Sequence, residues 1–299
     1  MTKTCQHNHI HINAEAAPSV DPTHTTVLRA KYSAEMYKRF RSLKGLIRTS
    51  IVDNNALKLG DYTPYTLSEP LDPGDYRETA PAKKVQEFNS WLDEAIATGI
   101  LGATAYEAGR IISRNRWQRE FIRKAYSKGI LHANQSLRGI GVVAKVGLVD
   151  EVIQDPAHQS ALQMLYNRNF NELKGVTDAM DQQISRRLAQ GFAEGWNPRK
   201  MATEINDRVD KIGITRARVI ARTETIRAHA HAQLNRYEQF GVKEVTAKVE
   251  LLTAGDTRVC PICASLEGEV WSLARAKGVI PVHPRCRCSW TPVTKTYTR

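Results

Sequence analysis

Four cysteines and one histidine lie close together near the end of the chain, in the sequence Cys260-Pro-Ile-Cys263 followed by His283-Pro-Arg-Cys286-Arg-Cys288. Two residues separate Cys260 from Cys263, and two separate His283 from Cys286. This spacing suits a tight turn whose backbone amides point toward a thiolate sulfur. Two such turns supply four nitrogen and sulfur ligands, the tetrahedral set that zinc prefers in structural sites. The sequence therefore predicts a structural zinc site.

Five candidate ligands compete for four positions at this site. The spacing favours Cys260, Cys263, His283 and Cys286, with Cys288 as the alternative to Cys286. Soft thiolates favour Zn²⁺ over magnesium or calcium. A binding free energy on the order of 10 kcal/mol would fold a segment too short to build its own core. The other interpretation is a group of unrelated buried cysteines beside an exposed histidine.

A catalytic metal would need an open coordination position and a neighbouring general acid or base. Zinc deaminases combine His-x-Glu with Pro-Cys-x-x-Cys, and many metalloproteases contain His-Glu-x-x-His. Neither histidine motif occurs in this sequence. Glu267 and Glu269 lie between the two ligand pairs, but both fall in a predicted turn, where water would solvate them. We therefore expect no catalytic residue and no small-molecule substrate.

Three helices are predicted immediately before the ligands, within residues 177–240. Apolar residues spaced by four form a stripe on the first helix, and Thr177 is its predicted N-cap. The dipeptide Asn197-Pro198 supplies the N-cap and the first turn of the second helix. Gly213 interrupts the helical pattern, and Thr215 is predicted to cap the third helix.

After the third helix the hydrophobic period changes from 3.6 to 2, which indicates a strand over residues 244–251. Val249 and Leu251 should face inward, and Glu250 outward. The strand and both ligand pairs fall within residues 243–292. The sequence thus predicts a mainly α fold with a small C-terminal α+β lobe that zinc stabilises.

The first 25 residues form a polar arm that contains Cys5, His7, His9 and His11. On an extended chain these side chains would share one face and could chelate a metal, although a polar arm without that role is the simpler interpretation. Helices are predicted beyond it at about 26–50, 83–98, 104–137 and 157–173, and the first of them has an apolar stripe of Met36, Phe40, Leu43 and Ile47. We divide the chain into the arm 1–25, a helical variable region 26–174 and a C-terminal module 175–299.

The net charge of +12 favours acidic partners or nucleic acid as a non-specific electrostatic bias. Arg116, Arg119 and Arg123 share one face of the helix predicted over 104–137, so they are candidate DNA contacts; a solvated helix face is the alternative. Arg285 and Arg287 lie beside the predicted ligands. A zinc-containing DNA-binding protein is therefore a second hypothesis.

No stretch of the sequence reaches the ~20 apolar residues that a membrane-spanning helix needs. The N-terminus also lacks the basic start and apolar run of a secretory signal. We therefore expect the chain to fold in a cytoplasm, with no membrane partner.

Four motifs follow one another within residues 175–292: Gly191-x-x-x-Gly195 with Asn197-Pro198, then Gly213-Ile-Thr215, then Ile220-Ala-Arg222-Thr223-Glu224-Thr225, and finally Cys-x-x-Cys with Gly268, closed by His-Pro-x-Cys-Arg-Cys. Together they resemble the head-morphogenesis family of tailed bacteriophages, the Mu F-like minor head proteins. The resemblance is specific because the motifs occur in one order and spacing, whereas Ala-Arg-Thr-Glu alone would be weak.

The resemblance implies a structural, non-enzymatic component of the virion, held inside the head near the portal after assembly in the host cytoplasm. Its implied partner is the portal protein, with scaffolding protein and packaged double-stranded DNA as further expectations. The basic composition of the chain agrees with a polyanionic partner.

The motif Arg222-Thr223-Glu224 has a structural interpretation. Arg222 and Glu224 lie about 200° apart around a helix, so they cannot pair with each other. We expect the three residues to tie their helix to the metal lobe by hydrogen bonds. The rival interpretation is a catalytic Arg/Glu pair, because some proteins with such a module also carry toxin or ADP-ribosyltransferase domains, although no room for a separate toxin domain is evident in the sequence. A metal-dependent hydrolase is the other enzyme hypothesis.

Overall fold

The chain is mainly helical, as predicted, and also contains two small antiparallel sheets. Predictions for Cys5, His7, His9, His11 and Arg116 lie outside the described residues. Within the described ranges, no helix combines the length and the apolar character needed to cross a membrane. The computed structural model describes residues 21–59, 80–107, 109–114, 117–141, 148–240 and 248–293.

The first two predicted helices are confirmed. Helix α1 spans Thr26–Arg48 and continues into a π-helical turn at Thr49–Asp53, and helix α2 spans Ala80–Gly99. The predicted stripe of α1 is buried, as a helix that packs one face against a core requires. Its members are Met36, Phe40, Leu43 and Ile47.

The helix predicted over 104–137 is wrong in its first part. Ala103–Glu107 (β1) and Arg110–Arg114 (β2) form an antiparallel hairpin, and helix α3 spans only Trp117–Gly139. Gly109 has a φ of 78°, a left-handed conformation that glycine adopts without a steric penalty and that no α-helix contains. The chain therefore turns at this glycine instead of continuing as a helix.

The N-cap predicted at Thr177 is also wrong. After the short helix α4 (Val149–Ile153), a single helix α5 spans Pro156–Ala193, and Thr177 lies inside it. The Thr177 hydroxyl donates to the carbonyl of Lys174 at 2.8 Å, so the helix itself satisfies the side chain. A threonine followed by an apolar stripe does not distinguish a helix start from a helix interior.

The N-cap at Asn197 is confirmed, because its Oδ1 accepts a hydrogen bond from the backbone N–H of Lys200 at 2.9 Å. Helix α6 spans Pro198–Arg208, with the proline in its first turn. A π-helical turn at Val209–Ile214 then joins α6 directly to helix α7, Thr215–Phe240.

Gly213 and Thr215 therefore have other roles than those predicted. Gly213 does not interrupt the helical path; a Cβ at this position would lie 2.6 Å from the ring of Phe40, so the residue permits close packing. Thr215 has a helical φ of −64°, and its hydroxyl donates to the carbonyl of Asp210. It is a helix residue that bonds to a preceding carbonyl, not an N-cap.

The C-terminal lobe is built on a three-stranded antiparallel sheet in the order β4-β3-β5. Its strands are β3 (Lys248–Leu252), β4 (Val270–Ser272) and β5 (Ser289–Pro292), and two short helices, α8 (Pro261–Ser265) and α9 (Leu273–Ala276), lie between them in sequence.

The predicted strand is confirmed for residues 248–251, while residues 244–247 lie outside the described ranges. Val249 and Leu251 are fully buried, as expected. The exposure expected for Glu250 is wrong, because this residue is buried although it lies on the opposite face of the strand. It lies beside Gly268, in the turn that precedes β4, and the turn covers it.

The contacts divide the chain into two compact units, each assembled from separate stretches. The domain boundaries at residues 25 and 174 stay a prediction. All the predicted metal ligands fall in the first unit. That unit comprises Met1–Tyr32, Gln118–Asn169 and Val219–Arg299, and the second comprises Ser33–Trp117 and Phe170–Arg218.

The core of the first unit joins the lobe to helices α3 and α7. Trp290 on β5 is fully buried, and its backbone carbonyl accepts hydrogen bonds from Gln233 Nε2 at 2.9 Å and from the Tyr237 hydroxyl at 3.3 Å. Gln233 Oε1 accepts in return from the backbone N–H of Trp290 and from the hydroxyl of Ser289. One buried amide thus fastens β5 to α7.

Candidate metal centre

The five predicted ligands lie together in the structure. His283 Nε2 is 3.2 Å from Cys260 Sγ and 3.2 Å from Cys263 Sγ, and Cys263 Sγ is 4.0 Å from Cys286 Sγ. The donor atoms form two groups that share Cys263, one with Cys260 and His283 and the other with Cys286 and Cys288. Such separations suit donors around one tetrahedral ion, which lies about 2.0–2.3 Å from each ligand.

The first ligand turn has the geometry that the spacing predicts. Cys260 is the N-cap of α8, and its Sγ accepts a hydrogen bond from the backbone N–H of Cys263 at 3.4 Å. This hydrogen bond is the main reason why the pKa of the Cys260 thiol lies below its ordinary value. The turn therefore favours the thiolate, the form that binds a metal.

In the second ligand turn the backbone N–H of Cys286 donates to the carbonyl of His283 at 3.1 Å, and the backbone N–H of Cys288 donates to Cys286 Sγ at 3.5 Å. A hydrogen bond shared with the thiol of Cys288 lowers the pKa of Cys286 and raises that of Cys288. The backbone contact favours the thiolate at Cys286, and the choice between Cys286 and Cys288 as the ligand stays a prediction.

The orientation of His283 also fits a metal ligand. Its Nδ1 lies 2.7 Å from the carbonyl oxygen of Pro284. A carbonyl oxygen can only accept, so Nδ1 carries the proton and Nε2 presents its lone pair to the two sulfurs. Metal-binding histidines are commonly held in this way, with the second ring nitrogen donating to a carbonyl or a carboxylate.

The cysteines are free thiols. The 4.0 Å between the sulfurs of Cys263 and Cys286 is about twice the length of a disulfide bond, about 2.05 Å. Cys263, Cys286 and Cys288 are buried, while Cys260 and His283 are half-buried. Several thiols and one imidazole without a covalent link form a donor set that a divalent soft metal fits.

An aspartate that the sequence analysis missed connects the two ligand turns. Asp256 accepts two hydrogen bonds of 2.6 Å from Arg287, and one of 2.7 Å from Arg258. The hydrogen bonds from Arg287 and then Arg258 hold the pKa of Asp256 well below its usual range. Arg287 lies between Cys286 and Cys288, so this fork ties the loop before the first turn to the second turn.

The motif Arg222-Thr223-Glu224 contacts two parts of the first unit. The hydroxyl of Thr223 accepts a hydrogen bond from the backbone N–H of Arg285, which joins α7 to the second ligand turn. Glu224 is buried and pairs with Arg168 on α5 and with Arg227 on α7. Arg222 is exposed. The functional roles assigned to the motif stay predictions.

The predicted DNA contacts on α3 have partners within the unit. The guanidinium of Arg119 lies 5.1 Å from the centre of the Tyr166 ring, and Arg123 pairs with Asp150 at 2.9 Å. Their contact with DNA stays a prediction. Glu267 and Glu269 are exposed, as expected, and Glu267 accepts a hydrogen bond from the backbone N–H of Thr253.

No curated protein and no solved structure matches the chain. The family described as Phage Mu protein F like protein matches residues 182–291. The matched segment begins within α5, ends in β5, and includes the Arg222-Thr223-Glu224 motif and all five candidate ligands. Residues 182–291, less than half of the chain, are thus a Phage Mu protein F like region, and the resemblance indicated by the motifs is confirmed.

Proposed function

We propose that the chain is a structural, non-enzymatic minor head protein of a tailed bacteriophage, acting in head morphogenesis near the portal. One observation carries the proposal: the region that matches the Phage Mu protein F like family is also the region whose thiols and imidazole form two adjoining groups that share Cys263. A cluster of this kind gives a small lobe a fixed shape, which a protein that assembles with others needs.

In this proposal Zn²⁺ is held by Cys260, Cys263, His283 and Cys286. The ion would supply cross-links between the two ligand turns, and the hydrogen bonds from backbone N–H groups would stabilise the thiolates. Four protein donors fill the tetrahedral shell, so no coordination position is left for a substrate. A structural role for the metal follows.

The proposed partner is the portal protein of the same phage, with scaffolding protein and packaged double-stranded DNA as further partners. The proposed location is the virion, inside the head. Mass spectrometry of purified phage particles is expected to detect the chain at a fixed, low ratio to the main capsid protein. The portal protein should also retain it in a pull-down assay. Particles that lack the chain would contradict the proposal.

A zinc-containing DNA-binding protein is the second candidate, favoured by the net charge of +12. Sequence preference separates the two candidates. Tight binding to one DNA sequence over others at physiological salt would support the second, because a structural head protein has no need to read bases. Binding without sequence preference agrees with the first.

A further inference from the structure

Several arginine residues lie beside the candidate metal centre of the first unit. We call Arg222, Arg258, Arg285 and Arg287 the arginine face. Three of them, Arg258, Arg285 and Arg287, line a small cavity together with metal-ligand candidates. Arg222 precedes Thr223, whose hydroxyl accepts from the backbone N–H of Arg285. These contacts place all four residues around one small area.

The arginine face carries more positive charge than its carboxylates neutralise. Asp256 pairs with both Arg258 and Arg287. Arg222 and Arg285 are exposed, and neither makes an ion pair with any residue in the described ranges. A divalent ion bound by three thiolates and one imidazole would add a formal charge of −1, so the face still keeps a positive excess.

A fifth arginine lies beside the face. Arg29 pairs with Asp21, and both are largely buried. Burial lowers the pKa of Arg29, the ion pair with Asp21 raises it, and the charges of Arg287 and Arg222 lower it to a smaller extent. Asp21 offsets the charge of Arg29, so the unpaired charge of the face belongs to Arg222 and Arg285.

We propose that the arginine face binds the phosphate backbone of double-stranded DNA without reading its sequence. The inference rests on the proposed function, which brings the chain next to packaged DNA. A guanidinium donates to two oxygens of a phosphate from one planar fork. Duplex DNA offers one charge per about 1.7 Å of its axis, so several exposed arginines can bind neighbouring phosphates at once.

DNA suits this face better than an acidic protein does. Protein–protein interfaces usually have an apolar centre with a polar rim. In the described part of the lobe, Ile262 is the one large hydrophobic side chain that is exposed. The face also contains two exposed arginines without an ion pair in the described ranges, Arg222 and Arg285, whereas on helix α3 Arg119 and Arg123 have partners in Tyr166 and Asp150.

The experiment compares two full-length double variants that lose the same charge. Arg222→Gln with Arg285→Gln removes the two unpaired arginines of the face. Arg199→Gln with Arg216→Gln is the matched control, because both residues are exposed helix residues outside the face. Fluorescence anisotropy with a labelled duplex of random sequence is measured at several salt concentrations. Metal content and thermal unfolding are measured on the same samples.

The face variant is expected to bind the duplex about tenfold or more weakly at ~0.1 M salt, with a salt slope smaller by about two. The control should change affinity by less than about threefold, through net charge alone. Arg258→Gln, which leaves the Thr223 contact intact, should lower the slope by about one. This single variant keeps the test valid if the double variant folds poorly.

Equal losses of duplex affinity in the face variant and the control would overturn the proposal. An unchanged salt slope in the face variant would overturn it as well. Loss of binding to polyglutamate with intact binding to the duplex would also overturn it, since the partner would then be an acidic polypeptide. Unchanged DNA binding with full metal content rejects only the arginine face. Particles that lack the chain reject the proposed function, whatever the DNA result.

Discussion

At the scale of single residues, buried polar groups contribute to the stability of the first unit, together with the candidate metal ligands. Gln233 is fully buried and bonds to β5 through both ends of its amide. His229 is fully buried on the same helix, and neither of its ring nitrogens has a hydrogen-bond partner among the described residues. Such groups stabilise the native packing only in one protonation state and one orientation.

Replacing Gln233 by leucine should lower the free energy of unfolding by about 2–4 kcal/mol. The substitution removes the Gln233 oxygen that accepts from the Trp290 amide and the Ser289 hydroxyl, and it leaves the Trp290 carbonyl with Tyr237 as its remaining side-chain donor among the described residues. Buried polar groups that lose a partner are costly. Urea denaturation followed by tryptophan fluorescence measures the change. Gln182→Leu, at an exposed helix position, is the control and should stay within about 0.5 kcal/mol. Equal effects of the two substitutions would show that the Gln233 contacts contribute little.

Acid should destabilise the first unit through its buried histidines. Burial, and then the neighbouring His24, lowers the pKa of His132 from 6.5 to about 4, and burial also lowers that of His229. The unfolded chain therefore binds more protons than the folded chain below pH 6.5. Stability should fall as pH drops from about 6.5 toward 4, and be fully present above that window.

Thermal unfolding between pH 7 and 5 measures this loss. His132→Asn should flatten the pH dependence, because the variant lacks one group that gains a proton on unfolding. A metal held by the candidate ligand thiols would also be lost in acid, so the comparison is between the slopes of the two proteins and not between their absolute stabilities. An identical slope in the variant would show that His132 does not titrate on unfolding.

At the scale of elements, the two candidate ligand turns connect strands and helices of the lobe that are only three to five residues long. The first turn begins α8, and the second leads into β5, which Gln233 fastens to α7. Three strands of three to five residues are short for an independent sheet. The lobe should therefore depend on the proposed metal for its stability, whereas the long helices should not.

Cys263→Ser should release the metal and unfold the lobe after about residue 250, while the long helices persist. Cys263 is the donor that both groups of ligands share, so no other single change removes as many contacts at the centre. Metal content and far-ultraviolet circular dichroism measure the two effects. Cys5→Ser changes the cysteine outside the cluster and is the control. Full metal content in Cys263→Ser would show that the ligand assignment is wrong.

Two helical glycines should respond differently to replacement by alanine: Gly213 in the π-helical turn at Val209–Ile214, and Gly175 in α5. Gly213→Ala should cost about 1–3 kcal/mol, because its Cβ would lie 2.6 Å from Phe40. Gly175→Ala should raise stability by up to about 1 kcal/mol, since a Cβ there meets no atom within 4 Å and Gly175 lies inside α5. Denaturant unfolding of both variants measures the difference. Equal effects would contradict the close packing inferred for Gly213.

At the scale of the whole molecule, the features that short-range sequence patterns determine were predicted correctly. The apolar stripe of α1, the cap at Asn197 and the ligand spacing are local features, and all three lie where they were expected. The hairpin at Gly109 and the burial of Glu250 depend on contacts that spacing does not encode.

The same limit applies to the candidate site. The grouping of the candidate ligands was predicted from their spacing, since short turns bring the side chains of nearby residues together. Three contacts were not predicted, because each joins residues far apart in sequence. They are those of Asp256 with Arg287, of Gln233 with Trp290, and of Thr223 with Arg285. An arginine between two candidate ligands, as in Cys286-Arg-Cys288, was the one sequence signal of the Asp256 contact.

The central claim is that one divalent ion, clamped by thiolates and an imidazole, shapes the C-terminal lobe. Elemental analysis of the full chain, purified without chelator, measures it most directly. We predict about one zinc per chain, lost from Cys263→Ser and retained in Cys5→Ser. Protein that is folded and holds no stoichiometric transition metal would contradict the claim.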